Sequence, residues 1–307
     1  MIHTRPILTF LAGLSGALSL AAGAAWGDQL DVNDPDDAIR VLMKTRCSLN
    51  DGETALYWWE GRMYSRVPGE KDRHLFNVQG MNIRHCETLT DPVRGLGFAA
   101  RSRELMFYLD AETNEVLRTW TNPWTGEELE VVQVANDPPG NYRENWARDE
   151  EGNPSGALFY FFKDGLMMHG GGAARLFYHN PLGGGYQQYV GGTYQAMEFG
   201  TSASPADEIL DADIPAAADR VISWGRVSKW LPWMKMGDRV GAVVFHTAGM
   251  RLSSFDELPA VVMEEINSNY PQYTEPPPIR YEKGKETSWT EFKEYIDAKR
   301  AQENQAD

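Results

Sequence analysis

The stretch that decides the fold runs from Tyr57 to Val134. It reads YWWEGRMYSRVPGE (57–70), HLFNVQGMNIRHCETL (74–89) and GFAARSRELMFYLDAETNEVLRTWTNPWTGEELEVVQV (97–134). Apolar and polar residues alternate through it, and tight turns such as Pro68-Gly69-Glu70 separate the runs. A period of two marks a strand whose two faces meet different surroundings. In the first strand Tyr57, Trp59, Gly61 and Met63 share one face, and Trp58, Glu60, Arg62 and Tyr64 the other. In the second, about 75–89, Asn82 and Arg84 oppose Met81, Ile83 and His85. In the third, 97–110, Arg101 and Arg103 oppose Ser102, Glu104 and Tyr108.

Working outward, further strands are expected at 115–121, 128–134, 158–162, 166–169, 175–179 and 186–199. A strand over 240–247 with a tryptophan-rich neighbour completes the set. The polar segment 135–153 reads as an excursion over the sheet. The expected fold is mainly β: an antiparallel meander of about ten strands forming a curved sheet or barrel, with a few peripheral helices. A barrel is favoured because closure removes exposed edges. The expected helices are four. The first opens at Asp34-Pro35 and ends near Arg46, and a short one runs from Ser204-Pro205 to Leu210. A third is opened by the capping box Ser254–Glu257 and ends near Tyr270; the last is opened by Ser288–Glu291. A proline-rich connector spans 271–278, and the tail 301–307 is expected to fray.

Residues 1–27 read as a secretory signal: Arg5, an apolar run from Ile7 to Ala22, then small residues with cleavage near 24–27. The expected organisation is this signal followed by a single domain over 28–300, in the periplasm or outside the cell. After signal removal no segment is long enough and apolar enough for stable membrane insertion. Net charge is −15, which argues against nucleic acid as a partner. Two cysteines, Cys47 and Cys86, either pair in an oxidising compartment or stay separate and buried. The sequence does not specify an oligomeric state.

The pieces YWWEGRMYSRVPGE, SRELMFYLDAETNEVL, NPWTGEE, SWGRVSKWLPWMKMGDRVG and KETSWTEFK resemble one bacterial family, catalogued as domain of unknown function 1838. The likeness extends from about Asp31 to Arg300. It implies an exported or cytoplasmic bacterial protein and carries over no catalytic residue, because the family defines none.

No G-x-S-x-G elbow, H-E-x-x-H motif, P-loop or strand-linked G-x-G-x-x-G is present, so no cofactor or metal is expected. His246, in VVFHTAG at the end of a strand, is the candidate acid or base. Tyr108 and Arg101 are the expected catalytic companions. The alternatives are a backbone-bonded histidine and a core tyrosine. Arg62, Arg84 and Arg103 would hold an anion if they faced inward, or pair with acids if they faced solvent. His169, beside the Gly-rich segment, and Tyr178, a candidate hydrogen-bond donor, are further ligand contacts. Trp59, Trp224 and Trp230 would wall a pocket for a flat apolar ligand, or else plug the barrel.

Three functions follow from these residues. The first is binding of a small hydrophobic or aromatic molecule in the barrel. The second is a cofactor-independent lyase, isomerase or hydrolase acting on such a molecule. The third is a carbohydrate-binding or structural envelope protein.

Overall fold

The structure is a computed structural model that describes residues 28–137, 144–155, 160–178, 193–218, 220–279 and 288–306. Residues 1–27, read above as a signal, lie outside the described residues.

Among the described residues twelve strands form: β1 (Ala55–Arg66), β2 (Arg73–Asp91), β3 (Gly95–Leu109), β4 (Thr119–Thr121), β5 (Glu128–Glu130), β6 (Val134–Asn136), β7 (Glu144–Trp146), β8 (Tyr160–Lys163), β9 (Leu166–Tyr178), β10 (Tyr194–Pro205), β11 (Val221–Ser228) and β12 (Ala242–Leu252). Ten build one antiparallel sheet in the order β6-β3-β2-β1-β12-β11-β10-β9-β8, with β7 also on β3. Two meanders, β1 to β3 and β8 to β12, are joined where β12 returns to pair with β1. The strands expected at 166–169 and 175–179 are one strand, β9. The strand expected at 186–199 runs on to Pro205 as β10, and its first residues lie outside the described set. The expected strands near 115–134 leave the main sheet as the separate pair β4–β5.

The sheet curls but does not close: among the described residues no pairing joins β8 to β6 or β7. The curl is steep. Glu198 on β10 acts electrostatically on Glu104 of β3, although five strand spacings separate them, about 24 Å in a flat sheet. Where β1 meets β12 the backbones approach closely. A Cβ on Gly61 would lie 2.1 Å from the His246 carbonyl oxygen, and one on Gly249 2.0 Å from that of Trp58. Only glycine tolerates that approach.

The convex face is half covered. Leu56, Met81, Ile83, Leu105, Phe107 and Leu109 pack under α3 (Ala260–Asn269) with Leu258, Val262 and Ile266. This helix starts later than expected. Pro259 precedes it, the Ser254 side chain makes no cap, and Phe255–Glu257 is a separate turn of tight helix. Over β8 to β12 the convex face instead presents Phe161, Met197, Phe199, Val221 and Met250, each exposed.

The concave face is closed at one end by the strap carrying β4 and β5, by the turn Pro232–Met234 and by α4 (Ser288–Ala306). That last helix runs through the segment expected to fray. At the other end sits α1 (Pro35–Arg46). As expected, the Asp34 carboxylate caps it, accepting from the N–H groups of Asp36 and Asp37 at 2.9 and 3.1 Å. Its last residues are tied down on all sides. Tyr57 Oη donates to the Thr45 carbonyl at 2.8 Å. The fully buried Lys44 Nζ donates to the carbonyls of Glu208 and Asp211, linking α1 to α2 (Ala206–Leu210). Cys47 and Cys86 form a disulfide, which resolves the open pairing and fastens the helix to β2.

Candidate functional site

Register decides which side chains meet. Tyr57, Trp59, Gly61 and Met63 face the concavity. Their cross-strand neighbours do too: Asn82, Gly80, Val78 and Phe76 on β2, and Arg251, Gly249, Thr247 and Phe245 on β12. Carrying the register outward adds Glu104, Met106 and Tyr108 on β3, Ile222, Trp224 and Arg226 on β11, Glu198 and Ser202 on β10, and His169 on β9.

One end of this face is solid. The rings of Phe76, Tyr108, Trp120 and Trp233 meet at centroid distances of 5.4 to 5.8 Å. Trp230 packs on Trp124 and gives its indole N–H to the Arg239 carbonyl at 3.0 Å. These tryptophans are core. Tyr108 is 1% exposed, and burial pushes its hydroxyl pKa well above the ordinary value.

The other end is charged. Arg84 Nε donates to Asn82 Oδ1 at 2.6 Å, and its guanidinium lies 4.8 Å over the Tyr57 ring. Arg251 approaches the same ring and donates to the Cys47 carbonyl at 2.6 Å. Arg220 Nη2 donates to Ser202 Oγ at 2.8 Å, while its Nε and Nη1 are buried with no acceptor. Arg46 completes the group from the end of α1. Burial lowers the Arg220 pKa to about 10, and Arg84, Arg46 and Arg251 push it the same way. None of the four has a carboxylate within ion-pair distance among the described residues. The His169 pKa is held below its usual value by burial and by Arg220 and Arg46.

Two acids and an indole border this cluster. Glu198 pairs with Arg226 at 3.0 Å. The Glu104 carboxyl makes no hydrogen bond or ion pair among the described residues. Burial pushes its carboxyl up to about 7; Glu198 adds to the rise, and Arg84 and Arg226 oppose it. Trp59 lies across Gly80, where a Cβ would come within 2.5 Å of the indole, and its buried N–H has no acceptor. Trp224, half-buried, stands on the far wall, 5.6 Å from Phe245.

The sequence candidates therefore divide. Trp59, Arg84, His169 and Trp224 share the cleft face. Tyr108 shares the face but sits in the packed end, and Trp230 is core. Arg101 and Arg103 face the convex side and secure the connector: Arg101 Nε donates to the Ile279 carbonyl at 2.8 Å, and Arg103 Nη1 to that of Gln272 at 2.6 Å. His246 and Arg62 are cross-strand neighbours, both exposed on the convex face, away from Tyr108 and Arg84. The Tyr178 side chain lies outside the described residues.

Arg46, Arg220, Arg251, Glu104 and Glu198 were not among the sequence candidates. Glu104 and Arg226 did leave a signal, since each is the one charge in an otherwise uncharged inward series. A groove of about 1030 Å³ between α4 and β6 has part of its charged lining engaged. Arg118 pairs with Glu265 there, and Glu130 with Lys299.

Fold and site together define an open, steeply curled antiparallel sheet protein whose inner face is half aromatic core and half charged cleft. The chain belongs to the family described as protein of unknown function (DUF1838), whose model matches residues 52–296. No curated protein matches it at a significant level. No helix among the described residues is long and apolar enough to cross a membrane.

Proposed function

We propose that the chain binds a small molecule with a flat apolar body and an anionic head. The head is held by Arg46, Arg84, Arg220 and Arg251, and the body lies between Trp59 and Trp224. The observation that carries this reading is the set of four guanidinium groups gathered with no carboxylate at ion-pair distance among the described residues, two of whose N–H donor positions, on Arg220, are buried and unanswered there. Collecting like charges in a low-dielectric site is costly, as is leaving a buried donor unpaired. A carboxylate or phosphate relieves both costs through paired charge-assisted hydrogen bonds. The unpaired Trp59 N–H adds a directional donor against the ligand body.

The disulfide supports an oxidising, exported setting, as does the leader-like N-terminus. Calorimetry with naphthoate and with the neutral naphthyl methanol tests the binding reading. Naphthoate should bind and the alcohol should bind at least about tenfold more weakly, with Arg220→Met erasing the difference. Equal affinity for both probes, or unchanged naphthoate binding in Arg220→Met, would sink it.

A further inference from the structure

Glu104 differs from Glu198, the other acid described on the concave face. Glu198 is engaged by Arg226. Glu104, one strand from Asn82 in register, points into the same cleft with both oxygens uncommitted among the described residues. It remains partly accessible although protein surrounds it. The groups that act on it are Arg84 from β2, Arg226 from β11 and Glu198 from β10, with Tyr108 on its own strand. A carboxyl in this setting has no structural task. It neither caps a helix nor neutralises a neighbour at ion-pair distance.

We propose that Glu104 is the general base and acid of a cofactor-free proton-transfer reaction, performed on the anionic ligand that the arginine cluster holds. This rests on the reading of the cleft as a small-molecule site. The substrate class is a carboxylate or carbonyl compound with an acidic C–H next to the acyl carbon. The Glu104 carboxylate takes that proton, so the C–H bond breaks and an O–H bond forms. The electron pair moves into the carbonyl as an enolate, and its negative oxygen is stabilised by guanidinium N–H donors. The Glu104 carboxylic acid then returns the proton to the same or the conjugated carbon. The net change is an isomerisation, with no oxidant, reductant or water consumed. The carboxyl pKa of about 7 supports the assignment, since a base and its conjugate acid are both populated near neutrality.

The test uses the full chain and nitrobenzisoxazole, a flat probe that reports a carboxylate base without knowledge of the substrate. The base removes the ring C–H proton, the freed pair completes a nitrile, and the N–O bond breaks to release a coloured phenolate. The expected result is a saturable reaction at least about 100-fold faster than the same concentration of acetate, rising with pH to a plateau above about 7. Glu104→Gln should lose nearly all of it, and Glu60→Gln, exposed on the convex face, should change it by less than about threefold. Thermal unfolding of each variant confirms that the fold is kept. No acceleration over acetate, or a folded Glu104→Gln variant as fast as the parent, would overturn the proposal. The naphthoate experiment reports separately on the binding reading. Intact anion binding with no base activity sinks the catalysis alone, whereas base activity without anion binding sinks the arginine assignment.

Discussion

The two ends of the concave face are built from the same strands, a few residues apart, and they obey opposite rules. At the Phe76 end every ring has a ring beside it, and the space is filled. At the Arg84 end the residues repel one another, leave donors unanswered and keep a carboxyl at an unfavourable pKa. The first arrangement is what stability selects. The second is costly to the fold, and a costly cluster points to function rather than to architecture.

That contrast can be broken from either side. Phe76→Ala should lower unfolding free energy by about 4 to 5 kcal/mol in urea titration, the usual cost of a buried phenylalanine, and leave naphthoate affinity nearly unchanged. The paired change Cys47→Ala with Cys86→Ala should cost about 4 kcal/mol, the chain-entropy effect of a 39-residue separation. Unlike Phe76→Ala, it should also weaken anion binding, because Arg46 precedes one cysteine and Arg84 lies two residues before the other.

At the charged end substitutions should stabilise. The Glu104 carboxyl ionises less readily in the folded chain, at about 7, than at its ordinary 4.5. Folded protein therefore holds the proton longer, and stability falls as pH rises through that window. Glu104→Gln should remove this slope, gaining about 3 kcal/mol at pH near 8 and nothing near pH 4, measured by chemical denaturation at both values. Arg220→Met should be neutral or up to about 2 kcal/mol more stable while losing naphthoate. Smallest of all, His246→Ala on the exposed convex face should alter stability by less than about 0.5 kcal/mol and alter naphthoate binding not at all. A clear loss of binding there would erase the distinction between the two faces.

Much of the sheet was legible in advance. Alternation assigned the faces of β1, β2 and β3 correctly, because each side of a half-buried strand has its own solvent. The site was legible only in part. Arg84 is grouped with Arg62 and Arg103 because they lie on neighbouring strands, yet the register that pairs Arg84 with Ser102 sends Arg101 and Arg103 to the opposite side. Arg46, Arg220 and Arg251 come from a helix end, a residue before a strand and the far end of β12. No local pattern links them; only the curl does. Closure also failed as a guide, since edges can be shortened and left unpaired instead of joined, and β6, β7 and β8 are three or four residues long.

Gly80 has a consequence of its own. The Trp59 indole rests directly on its bare backbone, so a single methyl group at this position would collide with the ring and shift it by about 1 Å. Gly80→Ala would thus act as a stopper, tilting the indole into the hollow while leaving every guanidinium and carboxyl in place. It would offer a purely steric way to silence the protein, independent of any charge.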